Sequence, residues 1–211
     1  MHLTPRDNAI LSALTTKIRL LTLAQMVEAW WPASSSARPN ARKRVALLLE
    51  AGLIKTATVP AHPMLSLDRP ILTWRPGDAA PDFDQVGYQL QSRWPREYVP
   101  TSVYHASHRA ARHYGSRSHG AIRHPDQATH DLHLSAVYLR VLRDYPQIAL
   151  QWVGEDEFAP EREGEKLPDA VVKDAAGAVR LVIEFGGKYD PKRFKAFHED
   201  CARRQLPYQL W

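Results

Sequence analysis

Apolar residues recur at helical spacing in the first fifty positions. Ile10, Leu11 and Leu14 stripe a segment at 5–15, with Thr4 placed to cap it and Pro5 at the first helical position. Leu23, Met26, Val27 and Trp30 do the same for 22–31, behind Thr22 as cap. Pro32 and the Ser34-Ser35-Ser36 run then break the chain. A third helix is predicted over 39–51, with Ala41, Val45, Leu48 and Leu49 as its apolar face and Gly52 as its stop. Residues 53–59 are rich in β-branched side chains and read as a strand. After a loop containing Pro60 and Pro63, Ile71-Leu72-Thr73-Trp74 reads as the return strand. Three short helices followed by a hairpin form a winged helix-turn-helix.

Residues 76–101 hold Pro76, Pro81, Pro95 and Pro100 among polar residues and read as a connector, interrupted by a short helix at 83–93. The segment 101–124 is crowded with His105, His108, Arg109, Arg112, His113, Arg117, His119, Arg123 and His124. The interleaved arginines repel a cation, so it reads as a basic helix over 103–114 and a loop against a phosphate backbone. Thr129 then caps a helix at 130–144, and strands are expected at 148–153, 167–172 and 179–185, the last two joined by a turn at 174–177. Asp190-Pro191 opens a helix over 191–204, and 207–211 reads as a further strand. The expected class is α/β (α+β): a winged helix at 1–77, a linker at 78–101, and a second α/β domain at 102–211.

Hydrophobic residues make up 44% of the 211 and charged residues 24%, as in a globular protein, and no apolar run is long enough to span a membrane. One cysteine, Cys201, excludes a disulfide framework. With an N-terminus that lacks a signal pattern, it points to a reducing cytoplasm. The net charge of +5 is unevenly spread. Residues 1–120 carry 15 Lys and Arg against 8 Asp and Glu, whereas 121–211 carry 13 against 15. The basic excess lies with the winged helix, whose third helix brings Arg38, Asn40, Arg42, Lys43 and Arg44 at its N-terminal half. That half is expected to meet double-stranded DNA.

The chemistry concentrates at Pro168-Asp169-Ala170-Val171-Val172 and Leu181-Val182-Ile183-Glu184-Phe185-Gly186-Gly187-Lys188. Carboxylates on adjacent strands can share Mg²⁺ or Mn²⁺, and a nearby lysine can face the attacked phosphate. That is the layout of the restriction-endonuclease-like PD-(D/E)xK core. Asp169, Glu184 and Lys188 are the candidate catalytic residues, with Asp131 of the preceding helix joining Asp169 and Glu184 as metal ligands. The usual lysine position, two residues after the second acid, is Gly186 here, and Lys188 stands four residues after.

With His130 and Leu132 opening the helix, Trp152 and Glu155 after the first strand, then Pro168-Asp169-Ala170 and Glu184, the chain resembles the replication-relaxation family. Lys192 or Lys195 matches that family's lysine after the acidic strand. Gly186 departs from the pattern, because the family often carries an acid there. The resemblance implies a DNA-associated role in plasmid mobilisation or replication. The expected partners are duplex DNA and either a second copy or a mobilisation or replication protein. It leaves two readings open: metal-dependent cleavage, or a regulator in which the nuclease fold is only a scaffold.

Overall fold

The computed structural model describes residues 2–95, 97–116, 127–158 and 167–211. The class is mixed α/β, as expected. Helices α1 (Pro5–Thr16), α2 (Leu23–Trp30) and α3 (Ala37–Glu50) come first. Both predicted caps are present. Thr4 closes a capping box with Asp7, and Thr22 closes one with Gln25, so each hydroxyl satisfies an N–H that the helix start leaves without a partner. Gly52 takes φ +65°, the left-handed turn that ends α3.

Strand β1 (Ile54–Ala61) forms an antiparallel ribbon with β3 (Val99–Ala106), pairing Ile54 with Ala106 and Ala61 with Val99. The expected return strand exists as β2 (Leu72–Trp74), but it pairs with β7 (Tyr208–Leu210). Trp74 is buried there between Tyr208 and His198, so its side chain belongs to the second sheet's core. The hairpin partner of β1 therefore comes from the end of the expected connector and the start of the expected basic helix. Only α5 (His108–His113) is helical there, because residues 99–106 pair with β1 along their whole length. Arg117, His119, Arg123 and His124 lie outside the described residues.

Helix α4 (Phe83–Ser92) lies in the expected linker, capped by Asp82 and packed on α9 (Pro191–Arg203). The partition at 78–101 is thus crossed by hydrogen bonds and packing in both directions. The second sheet has the order β2-β7-β6-β5-β4, with β4 (Trp152–Gly154), β5 (Ala170–Lys173) and β6 (Val179–Glu184) antiparallel and β7 parallel to β6. Helix α6 (Ala128–Asp144) starts without a side-chain cap. Thr129 lies inside it and its hydroxyl accepts the His62 N–H at 2.9 Å. Residues 148–151, expected in a strand, belong to α7 (Pro146–Gln151), which Pro146 starts at its first turn. The acidic loop after β4 is a helical turn, α8 (Glu155–Phe158).

One continuous core joins Ile10, Leu14 and Leu48 of the first helices to Val137, Trp152, Ile183, Phe185 and Trp211. The chain at 17–25 is the joint. Lys17 Nζ donates to Trp152 O at 2.5 Å and the Trp152 indole donates back to Lys17 O at 3.1 Å. Ser135 Oγ donates to Leu20 O, and Gln25 Nε2 to Leu132 O.

Candidate functional site

Strand β5 begins one residue after Asp169 and β6 ends at Glu184, so adjacent antiparallel strands deliver both acids to one end of the sheet. Each carboxylate accepts from a backbone N–H at or beside the other. Asp169 N–H donates to Glu184 Oε2 at 3.2 Å, and Phe185 N–H donates to Asp169 Oδ2 at 2.7 Å. The Tyr189 hydroxyl donates to Glu184 Oε1. Glu184 is 2% exposed, and burial, followed by the Asp169 charge, pushes its carboxyl up to about 8. At neutral pH it holds a proton.

His130 stands between two acids. Its Nε2 lies 3.1 Å from Asp169 Oδ2 and its Nδ1 lies 3.5 Å from Asp131 Oδ1. Burial opposes the imidazolium, but the Asp169 charge and the Asp131 hydrogen bond outweigh it and hold its pKa well above the ordinary histidine value. Arg19 closes the other side. Its guanidinium meets Asp156 at 2.6 Å, Glu155 at 2.8 Å and Asp131 at 3.5 Å. Protein cations thus stand among the carboxylates expected to take Mg²⁺ or Mn²⁺.

Each candidate ligand is met by protein donors: Glu184 at both oxygens, Asp169 through Oδ2, and Asp131 through Oδ1. Among the described residues no group of three or more His, Cys, Asp or Glu side chains is arranged to hold a metal ion. A divalent cation shared by Asp131 and Asp169 would have to take the place of His130 between them.

Lys188 follows the turn at Gly186-Gly187, where Gly187 has φ +52°. The Trp94 indole donates to Gly187 O at 2.9 Å and fixes this turn. Trp94 otherwise packs edge-on against His133 and Phe185, in keeping with a packing role. Lys188 Nζ lies 3.2 Å from His62 Nε2. Asp169 and Lys188 line one cleft of about 250 Å³, together with His62, Tyr98, His130 and Arg193. Glu184 sits behind the wall.

Behind it also lie His133 and Arg93. His133 is pushed down to about 4, first by burial, and as a neutral ring donates to Thr129 O and accepts from Leu65 N–H. The Arg93 guanidinium stacks over Phe185 at 4.9 Å and donates to Trp211 O; burial alone pushes it down to about 10. His130 carries a signal only through the family resemblance. His62 carries none, because it lies in a loop with no periodicity.

On α3, Arg38, Asn40, Arg42 and Lys43 are exposed, opposite the buried face of Ala37, Ala41, Val45 and Leu48. Arg44 differs. It donates from Nε to Asp7 Oδ1 at 2.8 Å, and Asp7 is fully buried, so Arg44 ties α3 to α1.

No family model matches this chain, no curated protein matches its sequence, and no solved structure matches its fold.

Proposed function

We propose that this is a DNA-binding protein in which a winged helix presents α3 to duplex DNA and a PD-(D/E)xK-like half serves as a scaffold without cleaving. The observation that carries the reading is the exposed set Arg38, Asn40, Arg42 and Lys43 on the N-terminal half of α3, backed by a buried face that fixes the helix. Cations there meet phosphates and release counterions, and Asn and Arg can read base edges in the major groove. Arg6 adds a cation beside the same helix, stacked over Trp31 at 4.5 Å. The scaffold reading is supported by carboxylates that already hold a proton, an imidazolium and a guanidinium.

A second reading, cleavage with Mg²⁺ or Mn²⁺, is favoured by the presence of Asp169 and Lys188 in one cleft. It requires a metal to displace His130 and the Glu184 proton. Under either reading the chain fits a cytoplasmic accessory role of the replication-relaxation kind, alone, as a homodimer or beside a mobilisation or replication protein.

The test is duplex binding across a salt series, together with incubation of supercoiled DNA with Mg²⁺ or Mn²⁺. Binding that weakens with salt by a log–log slope of about −0.9 per phosphate contacted, without cutting, supports the scaffold. Cutting that disappears in Glu184→Ala establishes the second reading. Salt-independent or undetectable binding refutes both.

A further inference from the structure

The cleft at Asp169 has walls that the proposed duplex contact does not use. We propose that it holds one unpaired nucleotide of a DNA strand end or overhang, with the base on Tyr98 and the phosphate between Lys188 and Arg193. This rests on the reading that the chain binds DNA.

Tyr98 is 57% exposed, and its ring lies on that of His62 with centroids 3.9 Å apart at 28°. His62 is buried and oriented at both nitrogens. Nδ1 lies 3.1 Å from Glu97 O and Nε2 lies 3.2 Å from Lys188 Nζ. An ammonium only donates, so Nε2 is the acceptor and Nδ1 carries the hydrogen. One neutral imidazole therefore positions both an aromatic platform and a cation. Trp94 closes the back, 5.2 Å from His62.

Lys188 and Arg193 line the same cleft and are exposed, and among the described residues no salt bridge joins either to a carboxylate. Their protein contacts are with rings, the Arg193 guanidinium over Tyr189 at 4.1 Å and Lys188 Nζ over Trp94 at 5.8 Å, so neither charge is neutralised there. The two cations and the exposed ring set the polarity: phosphate toward Lys188 and Arg193, base along Tyr98. The space of about 250 Å³ lies just under the roughly 300–1,000 Å³ of sites for drug-sized ligands. That is room for a base with its sugar. Stacking on an aromatic side chain is tolerant of base identity, so the site would sense strand ends more than sequence.

The experiment is fluorescence anisotropy, in EDTA, of a blunt duplex and of the same duplex with a short thymine overhang. The overhang is expected to bind more tightly. Tyr98→Ala should reduce that affinity by about 5- to 100-fold, toward the blunt value. Tyr98→Phe should keep the advantage, and Lys188→Gln should lower it. Tyr98 is exposed, so circular dichroism of the alanine variant should be unchanged. Equal affinity for both duplexes, or no effect of Tyr98→Ala, overturns the proposal. Competition by thymidine monophosphate as effective as the overhang assigns the cleft to free nucleotides and overturns it too. Arg42→Ala separates the two readings. It should weaken both duplexes alike, and if the α3 reading alone fails it changes neither while the overhang advantage persists.

Discussion

Replacing Glu184 by Gln is expected to stabilise the protein at neutral pH. In the fold this carboxyl titrates at about 8, whereas its ordinary value is 4.5. Between those values the native state holds a proton that the unfolded chain has released, so stability falls as pH rises through that window and levels off above it. By pH 7 the loss amounts to about 3 kcal/mol, taking about 1.4 kcal/mol for each tenfold change in proton concentration. A glutamine escapes this loss. Its carbonyl can accept from Asp169 N–H, and its amide can donate to the Tyr189 oxygen in place of the bond that hydroxyl donates in the parent. Urea unfolding of both proteins near pH 5 and near pH 7.5 measures the effect. His130 also favours the fold at low pH, since its raised pKa means stability lost as pH climbs above the ordinary histidine value, but both proteins share that term. The gap between variant and parent should therefore widen in favour of the variant as pH rises. A gap that stays constant would mean that Glu184 is ionised in the fold, and the argument would fail.

Three further outcomes follow from the packing. Arg44→Ala should lower stability by about 2 kcal/mol in chemical unfolding, because it strands the buried Asp7 carboxylate; the partial exposure of Arg44 keeps the loss below that of a fully buried pair. Arg42→Ala should leave stability within about 0.5 kcal/mol and reduce the salt slope of duplex binding by about one. Gly87→Ala should destabilise by about 1 kcal/mol in thermal melts although alanine favours helices, because its Cβ would meet the Pro191 ring at 2.8 Å.

The first three helices were legible because their signals are local: Thr4, Thr22 and Gly52 act within one turn of themselves. The acidic strand ends were legible for a similar reason, since Asp174 and Gly177 close a short turn that sets β5 against β6. What failed depended on distant partners. Residues 72–74 look like a hairpin strand, and only the remote Tyr208 and Leu210 decide which sheet they join. Residues 99–106 straddle the proline-containing connector and the start of the basic segment, and the ribbon is set by β1 some forty positions earlier. Ile148 to Gln151 are apolar enough for either state, and Pro146 together with packing under α6 favours a helix. At the site, Asp169, Glu184 and Lys188 could be found from the hairpin pattern, but the groups that meet the acids could not: His130 reaches Asp169 and Arg19 reaches Asp131 from distant parts of the chain, and the Tyr189 hydroxyl reaches Glu184 through the path of the Gly186-Gly187 turn.

The excursion between β1 and β3 has a kinetic meaning. The ribbon cannot close until the chain has travelled through residues 62–98, and β2 within that stretch waits for β7, far later in the chain. Contacts of such long sequence separation slow folding, because loop entropy is lost before the pairing that offsets it forms. The two sheets are threaded through each other's timing. Neither half should appear as a separate folding unit, and the molecule should unfold in a single cooperative transition in which exchange protection of the β1–β3 ribbon and of the β6–β7 pair is lost together.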